Sequence, residues 1–430
     1  MRGPGPGVDD VYSLSSSLAG GSPPLRPENI VHQTMPTSTS SASKASSRIS
    51  SMLSRILWLA AIVGMLAGCG SVALQEPSLA TGPAGPSLSG LPADTAALPP
   101  PLLQARSRWQ PVRWSELPGL QEDNLHEAWN AWVRSCERPL PAFAALCPQV
   151  RRLSIASALE QRSWMMQALQ PYRVEPLQPA GEGLLTAYYE PVLEASRLPT
   201  AGHAVPLYRP PPGLGQRKPW YSRQEMETLP EARAMLRGQE IAWLADPIDA
   251  LMLQIQGSGR VRIAEPDGSQ RVVRLAYAAT NDHPYRSVGS WLLQQGAVRD
   301  ASWPGIKAWV RGNPQRVNEM LWSNPRTVFF REEPLPALDA AFGPRGAQGV
   351  PLTPGRSIAV DKDSIPYGTP VWLVSGGPTL PLQRLVLAQD TGSAITGAVR
   401  ADYFVGWGPE AGELAGRLKQ PLRMWVLWPR

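Results

Sequence analysis

The chain has 430 residues, enough for more than one domain, and 43% of them are hydrophobic, enough for buried cores. Its 47 prolines argue against a helical bundle and for loops and short strands. With 41 basic against 35 acidic residues the net charge is +6, which favours an anionic partner (a cell wall, a membrane surface or nucleic acid) without choosing among them.

Residues 1–50 are rich in Ser, Pro and Gly and carry no apolar period, so they cannot bury a core and are expected to be disordered. A translation start at Met35 or Met52 would remove most of them altogether. Residues 51–69 form a secretory signal: Arg48 and Arg55 precede an apolar run from Ile56 to Leu66, and small residues follow. The run is too short and wrongly flanked for a stable membrane span. It ends in Leu66-Ala67-Gly68-Cys69, which resembles a bacterial lipobox. The resemblance implies cleavage before Cys69 and lipid on its sulfur, with several acyl chains giving durable anchoring. Gly70, where an Asp would signal retention, implies the periplasmic side of the outer membrane. Residues 70–111 are Pro/Ala/Ser/Gly-rich and are expected to form a flexible tether.

Residues 112–170 have a helical texture, with NLHEAWNAWVRSC and RLSIASALEQRSWMMQAL placing apolar side chains at helical spacing. Cys136 and Cys147 lie close enough for a disulfide in an oxidising compartment; the alternative is two buried thiols. From Gly183 the texture changes. GLLTAYYEPVLEAS, IDALMLQIQGSGRVRIAE and RVVRLAYAAT are strand and hairpin signals, with turns at GSGR and EPDGS. Helices are expected around SVGSWLLQQG and from PGIKAWVRGN to NEMLW, and strands return after Arg331. The pattern is mainly β and barrel-like with peripheral helices, not an alternating βαβ chain. The 16 tryptophans are mostly core candidates, although some are able to floor a sugar-binding groove.

Phosphate-loop, H-E-x-x-H and G-x-S-x-G motifs are missing, and the four histidines are scattered. Metallohydrolase and serine-hydrolase chemistry are therefore disfavoured, and carboxylates remain as the reactive groups. Asp361 in SIAVDKDSIPYG, Asp390 in LVLAQDTGSAITG and Asp402 in VRADYFVGWG read as strand-end aspartates. A carboxyl beside apolar walls keeps its proton to higher pH, and a neighbouring carboxylate adds to this, which is what a general acid needs. Strand-end aspartates also commonly cap turns, so spacing alone leaves both roles open.

The segment around these residues resembles the 3D domain, named for three aspartates in this arrangement. Together with GLLTAYYEPVLEAS, DPIDALMLQIQGSGRV, YAATNDHPYRSVG, VFFRE, GAQGVPLTPGRSIAVD, IPYGTPVWL and GWGPEAGELAG, the chain from about Pro171 onward is similar to the membrane-bound lytic murein transglycosylase A family. Ala187 and Val405 depart from the family pattern without touching the aspartates. The resemblance implies a double-psi β-barrel from residues 112–190 and 334–430, with N-terminal helices, and a smaller β-barrel inserted at 191–333. It implies a glycan groove between them, the general acid at Asp402, a supporting carboxylate at Asp390 and a mainly structural Asp361.

The implied activity is cleavage of the β-1,4 linkage between N-acetylmuramic acid and N-acetylglucosamine in peptidoglycan, with 1,6-anhydro ends and no metal or cofactor. Nucleic acid is not an expected partner, and the sequence names no protein partner. Tyr188, Tyr189, Gln256, Gly257, Ser258, Thr280 and Asn281 are candidates for holding the sugar, and Arg286 and Arg400 for meeting anionic peptide stems. Two other readings stand beside this one. One is a β-glycan hydrolase with a second catalytic carboxylate, Glu190 or Asp246; the other is a non-catalytic peptidoglycan-binding lipoprotein.

Overall fold

A computed structural model describes residues 97–178 and 181–430. The N-terminal segment 1–50, the signal 51–69 with Cys69, and the tether up to residue 96 lie outside the described residues. Fifteen strands are described: β1 (Leu102–Leu103), β2 (Ser107–Pro111), β3 (Leu169–Pro176), β4 (Gly183–Glu190), β5 (Val192–Ser196), β6 (Val205–Tyr208), β7 (Glu240–Leu244), β8 (Ser258–Ala264), β9 (Gln270–Thr280), β10 (Val328–Pro334), β11 (Ser357–Val360), β12 (Pro370–Ser375), β13 (Leu382–Asp390), β14 (Arg400–Trp407) and β15 (Lys419–Pro429).

They form two sheets. The larger runs β1-β2-β3-β15-β12-β13-β11-β14-β4, and β15 also pairs with β4, so its last six strands return on themselves as a barrel. The first half of β15 joins β4 (Leu422 opposite Gly183), and its second half joins β3 (Trp425 opposite Arg173). Within the ring β11–β13 and β14–β4 are parallel, and the other pairs are antiparallel. Ile358, Val360, Val386, Ala401, Tyr403 and Met424 fill the inside of the ring. The second sheet, β10-β9-β8-β5-β7-β6, has its own apolar cluster around Ile241, Val261, Val273 and Phe330. The chain passes from one sheet to the other at Pro191, between β4 and β5.

The helix Leu125–Ser135 lies outside the ring and buries Trp129 and Trp132 among Trp372, Leu385, Leu387 and Trp425. Just beyond it, Cys136 and Cys147 form a disulfide. The helix Ala158–Ala168 starts at Ser157, whose hydroxyl accepts from the Glu160 amide while the Glu160 carboxylate accepts from the Ser157 amide.

Four expectations need correction. The tether does not extend to Pro111: β1 and β2 already belong to the large sheet, and Trp109 is fully buried. Their shortness and the closing proline hid them. The stretch Pro247–Gln256 is a helix, not a strand. Asp246 caps it through the Ile248 amide at 2.8 Å, Pro247 takes the first turn, and Gly257 ends it at φ +80. Ile248, Leu251 and Ile255 recur at helical spacing, which the run's Ile/Leu content masks. A helix at Gly408–Arg417 interrupts the C-terminal strands. Its glycines lower helix propensity, but Gly412 is required, because a Cβ there would stand 2.9 Å from the Tyr189 ring. Finally, Asp402 is not at a strand end but third in β14.

Candidate active site

A β-bulge builds the site. Ile358 of β11 faces Ala388 of β13, but the next residue, Ala359, faces Asp390, so Gln389 is the extra residue. Ile358 and Ala388 point into the ring. Without the bulge, side-chain alternation would set Asp390 on a different face from Ala359. With it, Asp390, Ala359, Asp402 and Thr186 form one row across β13, β11, β14 and β4. Gln389 locks the extra residue in place. Fully buried, it donates to the Ala131 carbonyl at 2.9 Å and the Ser135 hydroxyl at 2.8 Å, and accepts from the Ser357 hydroxyl.

Asp402 is 3% exposed. Burial pushes its carboxyl up to about 6; the Arg400 charge and the Thr186 hydrogen bond act against this, and the Asp390 charge acts with it. The Thr186 hydroxyl donates to Asp402, and Arg400 donates to Thr186 at 2.9 Å and to the Ala401 carbonyl at 2.6 Å. An apolar wall of Tyr188, Leu352, Ala359, Ile395 and Phe404 lies beside the row. Asp390 is half-buried, accepts from the Tyr188 hydroxyl at 2.8 Å and the Ala347 amide at 2.9 Å, and is also pushed up, chiefly by burial. Asp361 accepts from the amide of Asp363 in its own turn (3.0 Å), from the Gly397 amide ahead of β14 (2.8 Å) and from Arg106 ahead of β2 (3.3 Å), so its oxygens are spent on structure.

A cleft of about 640 Å³ opens in front of Asp390, between the two sheets. One wall carries Tyr188, 344–347 and 390–394; the other carries 254–258, Tyr277, Tyr285 and Arg326. Gln256, Gly257 and Ser258 therefore line it, as does Tyr188. Asp402 is not among the lining residues and stands two strands along the row from Asp390, beyond Ala359. Tyr189 points away from its neighbour Tyr188. It lines a second, more apolar cavity of about 760 Å³ with Met252, Trp303 and Lys307, and its phenol is pushed up to about 12 by burial. Gln256 borders both spaces and accepts from the Tyr189 amide at 3.0 Å.

Thr280 and Asn281 do not line the cleft. Asn281 is fully buried, donates to the carbonyls of Tyr221 (2.9 Å) and Pro325 (2.8 Å), and accepts from the Thr327 amide (2.9 Å), so its amide is spent on structure. Arg286 is absent from both cleft walls, and Arg400 is held at Asp402 rather than offered to a peptide. Among the described residues no tryptophan lines the cleft; tyrosines do. The sequence reading missed Thr186, although Thr186 and Tyr188 share a face by simple alternation. It also missed Gln389 and the cleft arginines, which only the assembled fold brings together. A separate cavity of about 780 Å³ surrounds Arg356, but that guanidinium already pairs with Asp123 and Glu127 at 2.8 Å each.

Residues 184–331 match the MltA specific insert domain, and residues 356–428 match the 3D domain. Membrane-bound lytic murein transglycosylase A of Escherichia coli (strain K12) is 34% identical over 278 residues, covering 62% of this chain and 68% of that protein. The chain belongs to the membrane-bound lytic murein transglycosylase A family. Among solved structures, the lytic transglycosylase LtgG of Burkholderia pseudomallei is 44% identical, with a TM-score of 0.53, covering 78% of this chain and 99% of that one. E. coli MltA with bound chitohexaose is 25% identical, with a TM-score of 0.58, covering 76% of this chain and 93% of that one. In this family member, then, the two matched segments meet at the cleft: Tyr188, Gln256 and Arg326 come from the insert match, and Asp390 from the 3D domain.

Proposed function

We propose that the chain is a peptidoglycan lytic transglycosylase, cleaving the β-1,4 linkage between N-acetylmuramic acid and N-acetylglucosamine and leaving 1,6-anhydromuramic acid ends. The observation that carries the proposal is a buried carboxyl, Asp402, held toward its protonated form up to about 6 in the same row as Asp390, which lines the inter-sheet cleft. Protonated Asp402 gives its proton to the linking oxygen, and the C1–O bond breaks as positive charge grows at C1. The muramic C6 hydroxyl attacks C1 and gives its proton to the carboxylate of Asp402, so the acid is regenerated and no water is consumed. Asp390, close by in the same row, keeps the Asp402 proton in place and stabilises the developing charge.

Hydrolysis would ask for a second carboxylate free to activate water or attack C1. Glu190 is fully buried between Arg260 (2.9 Å) and Arg274 (2.6 Å), and Asp246 is committed to a helix N-terminus. Neither carboxylate is free. That a relative binds chitohexaose supports glycan in the cleft. Mass spectrometry of murein digested by wild type and by Asp402→Asn tests the proposal. Anhydro ends are expected from the wild type only. Reducing muramic ends would overturn it in favour of hydrolysis, and no release by either protein would favour a binding lipoprotein.

A second reading has one observation behind it: Asp390, not Asp402, lines the cleft. Under that reading Asp390 delivers the proton and Asp402 tunes it. Asp390→Asn would then abolish turnover while Asp402→Asn only shifted its pH profile.

The same proposal includes a double-psi barrel from 112–190 and 334–430 with an insert at 191–333; support comes from the ring of pairings with two parallel pairs. It also includes a lipid anchor at Cys69 on the periplasmic side of the outer membrane. Among the described residues no helix is long and apolar enough to cross a membrane.

A further inference from the structure

The cleft is unevenly charged. Among the described residues lining it, Asp390 is the single carboxylate, facing Arg138, Arg326, Arg331 and Arg345. Arg331 is paired with Glu333 at 2.7 Å. The other three have no carboxylate partner among the described residues. Arg138 and Arg345 converge on one wall, at Gly349. The Arg345 guanidinium donates to the Gly349 carbonyl at 3.0 Å, and a Cβ on Gly349, whose φ is +84, would stand 2.7 Å from the Arg138 guanidinium. Gly349 thus admits two guanidiniums side by side where a larger residue would separate them. Arg326 stands on the opposite wall and donates to the His283 carbonyl at 3.3 Å, which fixes one of its nitrogens and leaves the rest of the fork toward the cleft.

An uncharged sugar polymer gives no reason for three unneutralised arginines around one carboxyl. Two like charges brought together also repel unless an anion comes between them. Guanidinium forks match carboxylates in geometry as well as charge. From this arrangement we propose that Arg138, Arg345 and Arg326 form a carboxylate subsite that selects glycan strands bearing acidic substituents on the muramic residue. The inference rests on the glycan-cleaving reading above and adds to it the substrate class. The acidic groups of such a strand come from two sources that exclude each other at any one residue: the lactyl carboxylate of a bare muramic acid, or the carboxylates of a peptide whose amide bond has consumed it.

The test compares wild type, the double variant Arg138→Gln/Arg345→Gln, and Arg326→Gln. Substrates are peptide-bearing strands and strands stripped of peptide by an amidase, whose cut frees the lactyl carboxylate. Chitohexaose binding by calorimetry serves as the uncharged reference. On the strands that carry the recognised carboxylate each variant is expected to lose about tenfold in kcat/KM, carried by KM, while chitohexaose affinity is held. If the peptide carboxylates are the ligand, wild type falls to the level of the variants on stripped strands. If the lactyl carboxylate is the ligand, wild type does better on stripped strands than on peptide-bearing ones, where that group is an amide, and the variants lose on the stripped strands alone. Variants that match wild type on both strands, or that lose chitohexaose affinity by the same factor, overturn the subsite. A wild type that forms no anhydro ends on either strand would instead remove the underlying glycan-cleaving reading.

Discussion

At the scale of single residues, Asp402 sets the pH behaviour. Its carboxyl, ordinarily at 3.8, is pushed up to about 6, so the acid form is present below about 6 and is lost as pH rises through that value. The kcat/KM profile on murein should be flat on the acid side and fall above about pH 6. Arg400 lowers this value and Asp390 raises it. Arg400→Gln should therefore move the falling limb to higher pH and Asp390→Asn to lower pH; limbs that stay put in both would remove Asp402 from the role. The same displacement acts on stability. Because the folded state holds the proton more tightly than the unfolded one, the contribution of this group is most favourable below 3.8 and declines between 3.8 and about 6, by roughly 3 kcal/mol. Asp402→Asn, which cannot ionise, should unfold at higher denaturant than wild type at pH 7, and the gap should close near pH 4. The three aspartates are legible in the sequence as a motif. Their inequality is not, because what separates them, Thr186 against Asp402 and Tyr188 against Asp390, lies 216 and 202 residues away in the chain.

At the scale of elements, the bulge in β13 decides which aspartates share a face. Gln389 ties it to the helix Leu125–Ser135 through two buried hydrogen bonds and to Ser357 of β11 through a third. Replacing Gln389 with Met keeps the volume but leaves the Ala131 carbonyl, the Ser135 hydroxyl and the Ser357 hydroxyl short of partners. A loss of roughly 2–4 kcal/mol is expected in urea unfolding. Because Asp390 would lose its fixed aim, kcat should drop at least tenfold, with chitohexaose affinity changing less. A variant that is destabilised yet fully active would show that the bulge holds the fold and not the site. This helix could be read in advance from its tryptophan spacing, and strands such as PVWLV from their β-branched runs. The bulge could not, since AQD looks like uninterrupted strand until its partner supplies the register. The helix Pro247–Gln256 was hidden differently: Ile and Leu suit both structures, and the caps at Asp246 and Gly257 were the available signal.

At the scale of the whole molecule, the cleft exists because two sheets are held at a fixed separation, and a single buried carboxylate helps hold them. Glu190 ends β4 in the larger sheet; its partners Arg260 and Arg274 stand on β8 and β9 in the smaller one. Both arginines also donate to the Phe342 carbonyl, at 3.0 and 2.7 Å, and Arg260 stacks 3.6 Å over the Trp407 ring at the end of β14. Residues more than 200 positions apart meet here, which is why the separation of the walls, unlike the motifs on them, is not written in any local stretch. Glu190→Gln removes the charge from the centre of this junction and leaves two buried guanidiniums facing each other. Breaking one side of such a cluster costs about 3–5 kcal/mol, so a clear fall in Tm is expected. The cost should be electrostatic in origin: Glu190→Gln combined with Arg274→Met, which removes one of the opposed charges, should recover much of the lost stability. If the junction also sets the cleft width, both proteins should differ from wild type more in KM for long strands than in kcat, since Asp390 and Asp402 are positioned within the larger sheet. Equal Tm values for wild type and Glu190→Gln would mean that the sheets are held together by their apolar contacts alone.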